Sequence, residues 1–586
     1  MSTGSTSHLD PEKSRGHVPV RLEEPDAPRE GRILLDAYGQ SRYLGESSGA
    51  TFLNHIREYM ATVFPIAFNT AWPITQATDT KFISALGHYQ THDSRPLLVS
   101  SPDHLMPSIE QAKRMLSELS HWTRNGSHTA ISGGIFYWAN TESLLAEYEL
   151  HLADPRSSEL SRNLALINAA FAVACQFNPD CAPEWDAGDG QTFFARARAL
   201  VGNPLDIASL SDAPVLTLLG FYLVNSYRRD AAYMYISVAL HILIVHGVHR
   251  AWSIDEDGKR KFWDVYNLDR WLSCTMGRPV MVVEESIQLD VPRPAPGLPQ
   301  PDGLRAHVEL SKITHYIAAN VYGVSKHIAE PHSTALCIHR ALSMLKSWEY
   351  DLPDSLRYVE RSNDQDHAAY DLQMAANHLK ILAVRAWLFD SVKRATANLC
   401  LRGRRDDTES AHHNEIDLAV AAARQTIVIL RHLVEIRKPN NLVHTSIHHI
   451  FNAALTLELY QILCVSDHTP DRESIHYIIS LLEIQNGSNK PFAKDCAGVL
   501  SDLASMMVKL RSSGGQLQHL ARYKAAHEEE SLPVGGASHW HGPSTWAHNS
   551  VELLPSRLPG TSETSPTAMI NSEDRQNAYD EIVSWL

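Results

Sequence analysis

The stretch KRKFWDVYNLDRWLSCTMGRP, residues 259–279, decides the fold. Phe262, Val265, Leu268, Leu272 and Met276 recur at steps of three and four, so they share one face of a helix. Gly277 and Pro279 end it, because glycine accepts the left-handed turn and proline cannot continue the hydrogen-bond ladder. The preceding stretch, YRRDAAYMYISVALHILIVHGVHR (227–250), predicts a second helix. Its Ala232, Ile236, Ala239 and Leu243 form a stripe whose small residues permit close approach of a neighbour, and Gly247 stands where a left-handed residue would end it.

The same periodicity runs through most of the chain. It is legible in SIEQAKRMLSELSHWT and NTESLLAEYELHLA. ELSRNLALINAAFAVACQF is apolar nearly all round and is expected deep in a bundle. Further helices are predicted over 305–329, 334–350, 364–395, 411–437, 441–465, 471–484 and 491–513. ESSGATFLNHIREYM carries a helix start with Ser47 or Ser48 as the cap. Only PLLVS (96–100) and PVMVVEE (279–285) read as strand-like. The expected fold is all-α: a large helical body with disordered segments at both ends.

Composition narrows the function. Of 586 residues, 44% are hydrophobic, enough for a sizeable core, and the net charge of −15 opposes direct binding to DNA phosphates. The apolar run ISVALHILIV is about half of what a membrane span needs, and the polar N-terminus lacks a secretory pattern. Seven scattered cysteines suit buried thiols better than a disulfide or zinc framework. No nucleophile elbow, phosphate-binding loop, dinucleotide fingerprint or paired metal motif is present, which argues against an enzyme. His444 and His448 share a helix face, as a metal pair would, but no third ligand accompanies them. The basic clusters of KRATANLCLRGRRDD (393–407) read as a solvated helix end or as a nuclear import signal.

Two motifs together resemble the middle homology region of the fungal zinc-binuclear-cluster transcription factors. RDAAYMYISVALHILIVHGVHR places Gly247, His249 and Arg250 in the matching positions. KRKFWDVYNLDRWLSCTMGRP matches at Trp263, Tyr266, Leu268, Asp269, Arg270, Ser273, Gly277, Arg278 and Pro279. Asp290, Val291 and Pro292 resemble the closing strip of that region, and RYLGESSGATFL (42–53) resembles its opening. The resemblance implies a nuclear transcription regulator, with a small-molecule effector as an expected ligand of the helical body. The family's six paired cysteines and two zinc ions have no counterpart before Arg42, so neither zinc nor direct DNA reading is expected of this chain. Asp269, Arg270 and Arg278 are expected to form an ion network that ties the helix to the turn after it.

The organisation read from the sequence is a disordered segment 1–31, a middle homology region 32–330, a helical continuation 331–525, a linker 526–570 and an acidic-aromatic tail 571–586. The linker is dense in Gly, Pro, Ser and Thr and holds His539, His541 and His548, which no rigid scaffold brings together. In the tail, Tyr579, Ile582, Val583 and Leu586 fall on one helical face beside Trp585, among four carboxylates. Such a peptide folds into a partner's groove as an activation tail, or docks back on the helical body. Two regulatory readings follow: a regulator that recruits the transcription machinery, or a DNA-free cofactor or repressor that binds another transcription factor.

Overall fold

In the computed structural model the decisive stretch is a helix from Glu256 to Met276. It begins three residues earlier than the apolar spacing shows, because Asp255 caps it by accepting the Gly258 amide. The structure describes residues 32–505 apart from 36–40, 68–105, 126–131, 154–160, 179, 181–189, 207, 252–253, 325–332, 361–366, 403–411, 437–441, 465–468 and 486–490. The segment 1–31, the strand-like 96–100, residues 403–407 of the basic stretch, the linker and the tail lie outside these residues.

Among the described residues a two-stranded antiparallel hairpin, β1 (Arg32–Leu35) and β2 (Ser41–Leu44), precedes an otherwise helical chain. The helices are α1 (Gly49–Ala67), α2 (Ile109–Ser120), α3 (Thr141–Ala153), α4 (Ser161–Phe177) and α5 (Gln191–Val201). Then come α6 (Asp212–Asn225), α7 (Arg229–Val245), α8 (Glu256–Met276), α9 (Asp302–Tyr316) and α10 (Thr334–Asp351). The last five are α11 (His367–Arg402), α12 (His413–Ile436), α13 (His444–Leu463), α14 (Thr469–Glu483) and α15 (491–505). The all-α expectation holds.

Three local expectations need correction. Residues 279–285 form no strand: the backbone groups of Met281 and Val282 are bonded to Asp269 and Arg270, so they cannot pair with a neighbouring strand. The helix expected over 227–250 begins at Arg229, because Tyr227 takes a left-handed backbone (φ 58°) and stacks its ring on Phe492 at 3.9 Å. The helix expected over 305–329 changes at Ile317 into a wider turn through Val321, and Gly323 (φ 63°) follows. Of the two proposed caps for α1, the structure uses Ser48, whose hydroxyl accepts the Thr51 amide.

Two apolar cores share their border helices. The first is built by α2 to α8, with α4 and α6 buried nearly all round. The second is built by α9 to α15 together with α1. Val308 of α9 belongs to the first core, and Tyr227 and Cys274 from the first half of the chain belong to the second. The α6–α7 contact uses the small-residue stripe: a side chain at Gly220 would meet Ile236, and Ala232 and Ala239 are buried. Five free cysteines are described, four of them buried and Cys464 half-buried. No helix of the described residues is long and apolar enough to cross a membrane.

Enlarging Ala239 to Leu overpacks this contact and should cost about 1–3 kcal/mol. Met234→Gln on the exposed side of the same helix, at 61% exposure, should be near neutral. Urea midpoints of the two variants check this.

Candidate regulatory site

The C-terminal half of α8 organises two features: a clasp on its outer side and a buried imidazole cluster on its inner side.

In the clasp, Arg270 is fully buried beneath the end of the helix. It donates to Asp269 at 2.6 Å and to the Val282 carbonyl at 2.7 Å, and its guanidinium lies 4.2 Å from the centroid of the Tyr266 ring. Asp269 accepts the Met281 amide, Tyr266 donates to Glu284 at 2.6 Å, and Trp263 donates to the Asp290 carbonyl at 3.0 Å. These bonds wrap the extended strip 281–290 along the helix. Burial pushes the Asp269 carboxyl up to about 6, against the opposing pull of Arg270.

Arg278 does not join that pair. It bridges Asp230 of α7 at 2.8 Å and donates to the Tyr43 carbonyl of β2, so the expected three-residue network is two separate ties. Gly277, with φ 62°, closes α8 and sits directly on Gly45: a side chain at Gly45 would lie 2.0 Å from the Gly277 carbonyl oxygen. The Gly45 amide donates to the Met276 carbonyl at 2.9 Å, and the Ser47 hydroxyl donates to the Cys274 carbonyl at 2.6 Å. Arg385 of α11 donates to the Glu46 carbonyl at 3.0 Å. Residues 43–48 therefore form a strap that joins α7, α8 and α11. The sequence motifs RYLGESSG and GRP, more than two hundred residues apart, are the two halves of this contact.

On the inner side, His444, His448 and His449 of α13 meet His378 of α11. The ring centroids of His378 and His448 are 4.8 Å apart, those of His378 and His449 5.2 Å. Trp271 of α8 and Phe492 of α15 close the cluster. Both ring nitrogens of His444, and Nδ1 of His378 and of His448, are buried without a hydrogen-bond partner. The pair read from the sequence, His444 and His448, is thus part of the core. His378 and His449 lacked a signal, because nothing in their local spacing shows that α11 faces α13. Among the described residues no three His, Cys, Asp or Glu side chains are placed to hold a metal ion.

Burial holds all four imidazoles below the ordinary 6.5, His449 down to about 4. Arg385 adds to the effect at His378, and Arg229 at His444 and His448. Beside them lies a cavity of about 40 Å³ bounded by α8, α9, α11 and α13.

Residues 137–348 match the family model described as the fungal specific transcription factor domain. Its relatives are fungal transcriptional regulatory proteins. One, an uncharacterized transcriptional regulatory protein of Schizosaccharomyces pombe, is 22% identical over 515 residues, covering 83% of this chain and 60% of the relative. Thiamine repressible genes regulatory protein thi1 of the same yeast is 23% identical, covering 48% of this chain and 37% of its own. Activator of stress genes 1 of Saccharomyces cerevisiae is 23% identical, covering 50% and 33%. The chain thus spans 60% or less of the length of these relatives. No solved structure matches it. The family and these relatives are transcriptional regulators rather than enzymes.

Two outcomes follow from this geometry. Gly45→Ala forces a side chain into the Gly277 backbone and should destabilise the protein by about 1–3 kcal/mol, read as a lowered urea midpoint. The imidazoles give a pH dependence. Above about 6.5 they are neutral in folded and unfolded chain alike, and their contribution to stability is full. Below it the unfolded chain takes up protons that the folded core refuses, at about 1.4 kcal/mol per pH unit for each imidazole, until the folded values are reached. Asp269, raised to about 6, works in the opposite direction: its contribution is full below 3.8 and is lost as pH rises through about 6. Four imidazoles outweigh one carboxyl, so the melting temperature should fall from pH 7 to pH 5. His444→Phe should make that fall shallower; an unchanged slope would contradict the buried neutral cluster.

Proposed function

We propose that this chain is the regulatory body of a nuclear fungal transcription regulator that controls a metabolic pathway, with its C-terminal tail as the activating element. The match of residues 137–348 to the fungal specific transcription factor domain carries this reading. The names of the relatives support it, since they include a regulator of thiamine-repressible genes and an activator of stress genes. On this reading the chemistry of the chain is recognition. The helical body responds to an effector, and Tyr579, Ile582, Val583, Trp585 and Leu586 engage the transcription machinery. The DNA address comes from a partner or from a segment other than the described helical body, in keeping with the net charge of −15.

Fusing the chain to an unrelated DNA-binding domain upstream of a reporter tests the proposal. The fusion should activate transcription, and Tyr579→Ala with Trp585→Ala should return the reporter to background. Output unchanged by the double substitution would remove the tail from the mechanism. Repression by the fusion would favour the cofactor or repressor reading.

A further inference from the structure

We propose that the cavity between α8, α9, α11 and α13 is the effector site and that it takes a small carboxylate. This deepens the regulator reading and rests on it for the word effector; the binding site itself stands on the following geometry.

The cavity holds about 40 Å³, room for roughly three water-sized groups, which is the size of a carboxylate with a short stem. Leu310, Ala375 and Leu379 supply apolar wall for the stem. The polar wall is rich in N–H donors and holds no Asp or Glu. The hydroxyls of Thr275 and Thr314 already donate to carbonyls of their own helices, Trp271 and Leu310, and His307 is bonded through Nδ1 to the Ile135 carbonyl. Two buried groups on the wall are left over. Nε1 of Trp271, which can only donate, and Nδ1 of His378 have no partner in the structure. His378 is more than nine-tenths buried.

A buried donor without an acceptor costs about 1–3 kcal/mol, so Trp271 Nε1, and His378 Nδ1 in the tautomer that carries its proton there, favour a ligand that brings acceptor oxygens. The charge around them selects further. The charged groups that act on His378, His448 and His444 are Arg385 and Arg229, both positive. Burial lowers His307 and His449 without any charged neighbour among its causes. A cationic ligand would meet this field with no carboxylate among the described residues of the wall to offset it. A carboxylate complements it.

An ionised carboxylate in so buried a place is costly unless a positive charge accompanies it. The anion therefore enters with one proton, which a neighbouring imidazole takes up, so that the carboxylate keeps its charge. One proton is thus taken up for each ligand bound.

Thermal unfolding of the purified full chain in sodium acetate tests the site, with acetamide and sodium chloride as controls at equal ionic strength. Acetate should raise the melting temperature saturably, and the controls should not. Its half-saturating concentration should rise about tenfold per pH unit between pH 6 and pH 8, the slope for one proton. His378→Phe and Trp271→Phe each remove an N–H and keep a ring. Whichever of them folds should lose the acetate response while keeping a cooperative melt. Equal stabilisation by acetamide, a pH-independent half-saturation, or a folded variant that responds like the parent would overturn the proposal. The reporter assay contains no added acetate, so the two readings fail separately. A chain that activates transcription but ignores acetate loses only this site. A chain that binds acetate without acting in transcription keeps the site and loses the regulator reading.

Discussion

The structure depends on the close approach of two glycines at the end of α8. Gly277 supplies the left-handed residue that terminates the helix, and Gly45 supplies a backbone with no side chain to hold it away. Because the two main chains touch, the Gly45 amide can reach the Met276 carbonyl, and the strap can carry Ser47 to the Cys274 carbonyl. Arg278 and Arg385 then fasten the strap from opposite sides. The fully buried Arg270 holds the strip 281–290 against the same helix. A buried arginine is tolerable there because Asp269, a carbonyl and the Tyr266 ring face it together.

This arrangement places one helix end between two environments. Outward, α8 meets a strap held by one backbone hydrogen bond, Gly45 to Met276, and by side-chain bonds of Ser47, Arg278 and Arg385 to carbonyls. Inward, it meets the border of the second core, where Trp271, Cys274 and Thr275 line the cavity. Cys274 is common to both, since its carbonyl accepts from Ser47 and its side chain lies in the second core. One residue of α8 thus lines the cavity and holds the strap at once.

Much of the helical body was legible in the sequence. The steps of three and four at Phe262, Val265, Leu268, Leu272 and Met276 describe a helix whose burial the structure bears out. The end at Gly277 and the start at Ser48 follow from the conformational freedom of glycine and from a hydroxyl that caps. The strand-like reading of 279–285 failed because the main-chain groups of Met281 and Val282 are taken by Asp269 and Arg270, which leaves them none for a neighbouring strand. The two residues assigned in excess at the start of α7 have a local cause: Tyr227 gives up a helical backbone for a stack on Phe492.

By itself the sequence determined where helices run, which faces are apolar and where glycine lets the chain turn, because these are set by residues within a few positions of one another. The tertiary structure decided which faces meet. It brought Gly45 to Gly277, parted Arg278 from Asp269 in favour of Asp230, and gathered His378 with His444, His448 and His449. Local spacing carries no information about partners on distant helices; only the packing of complementary surfaces selects them.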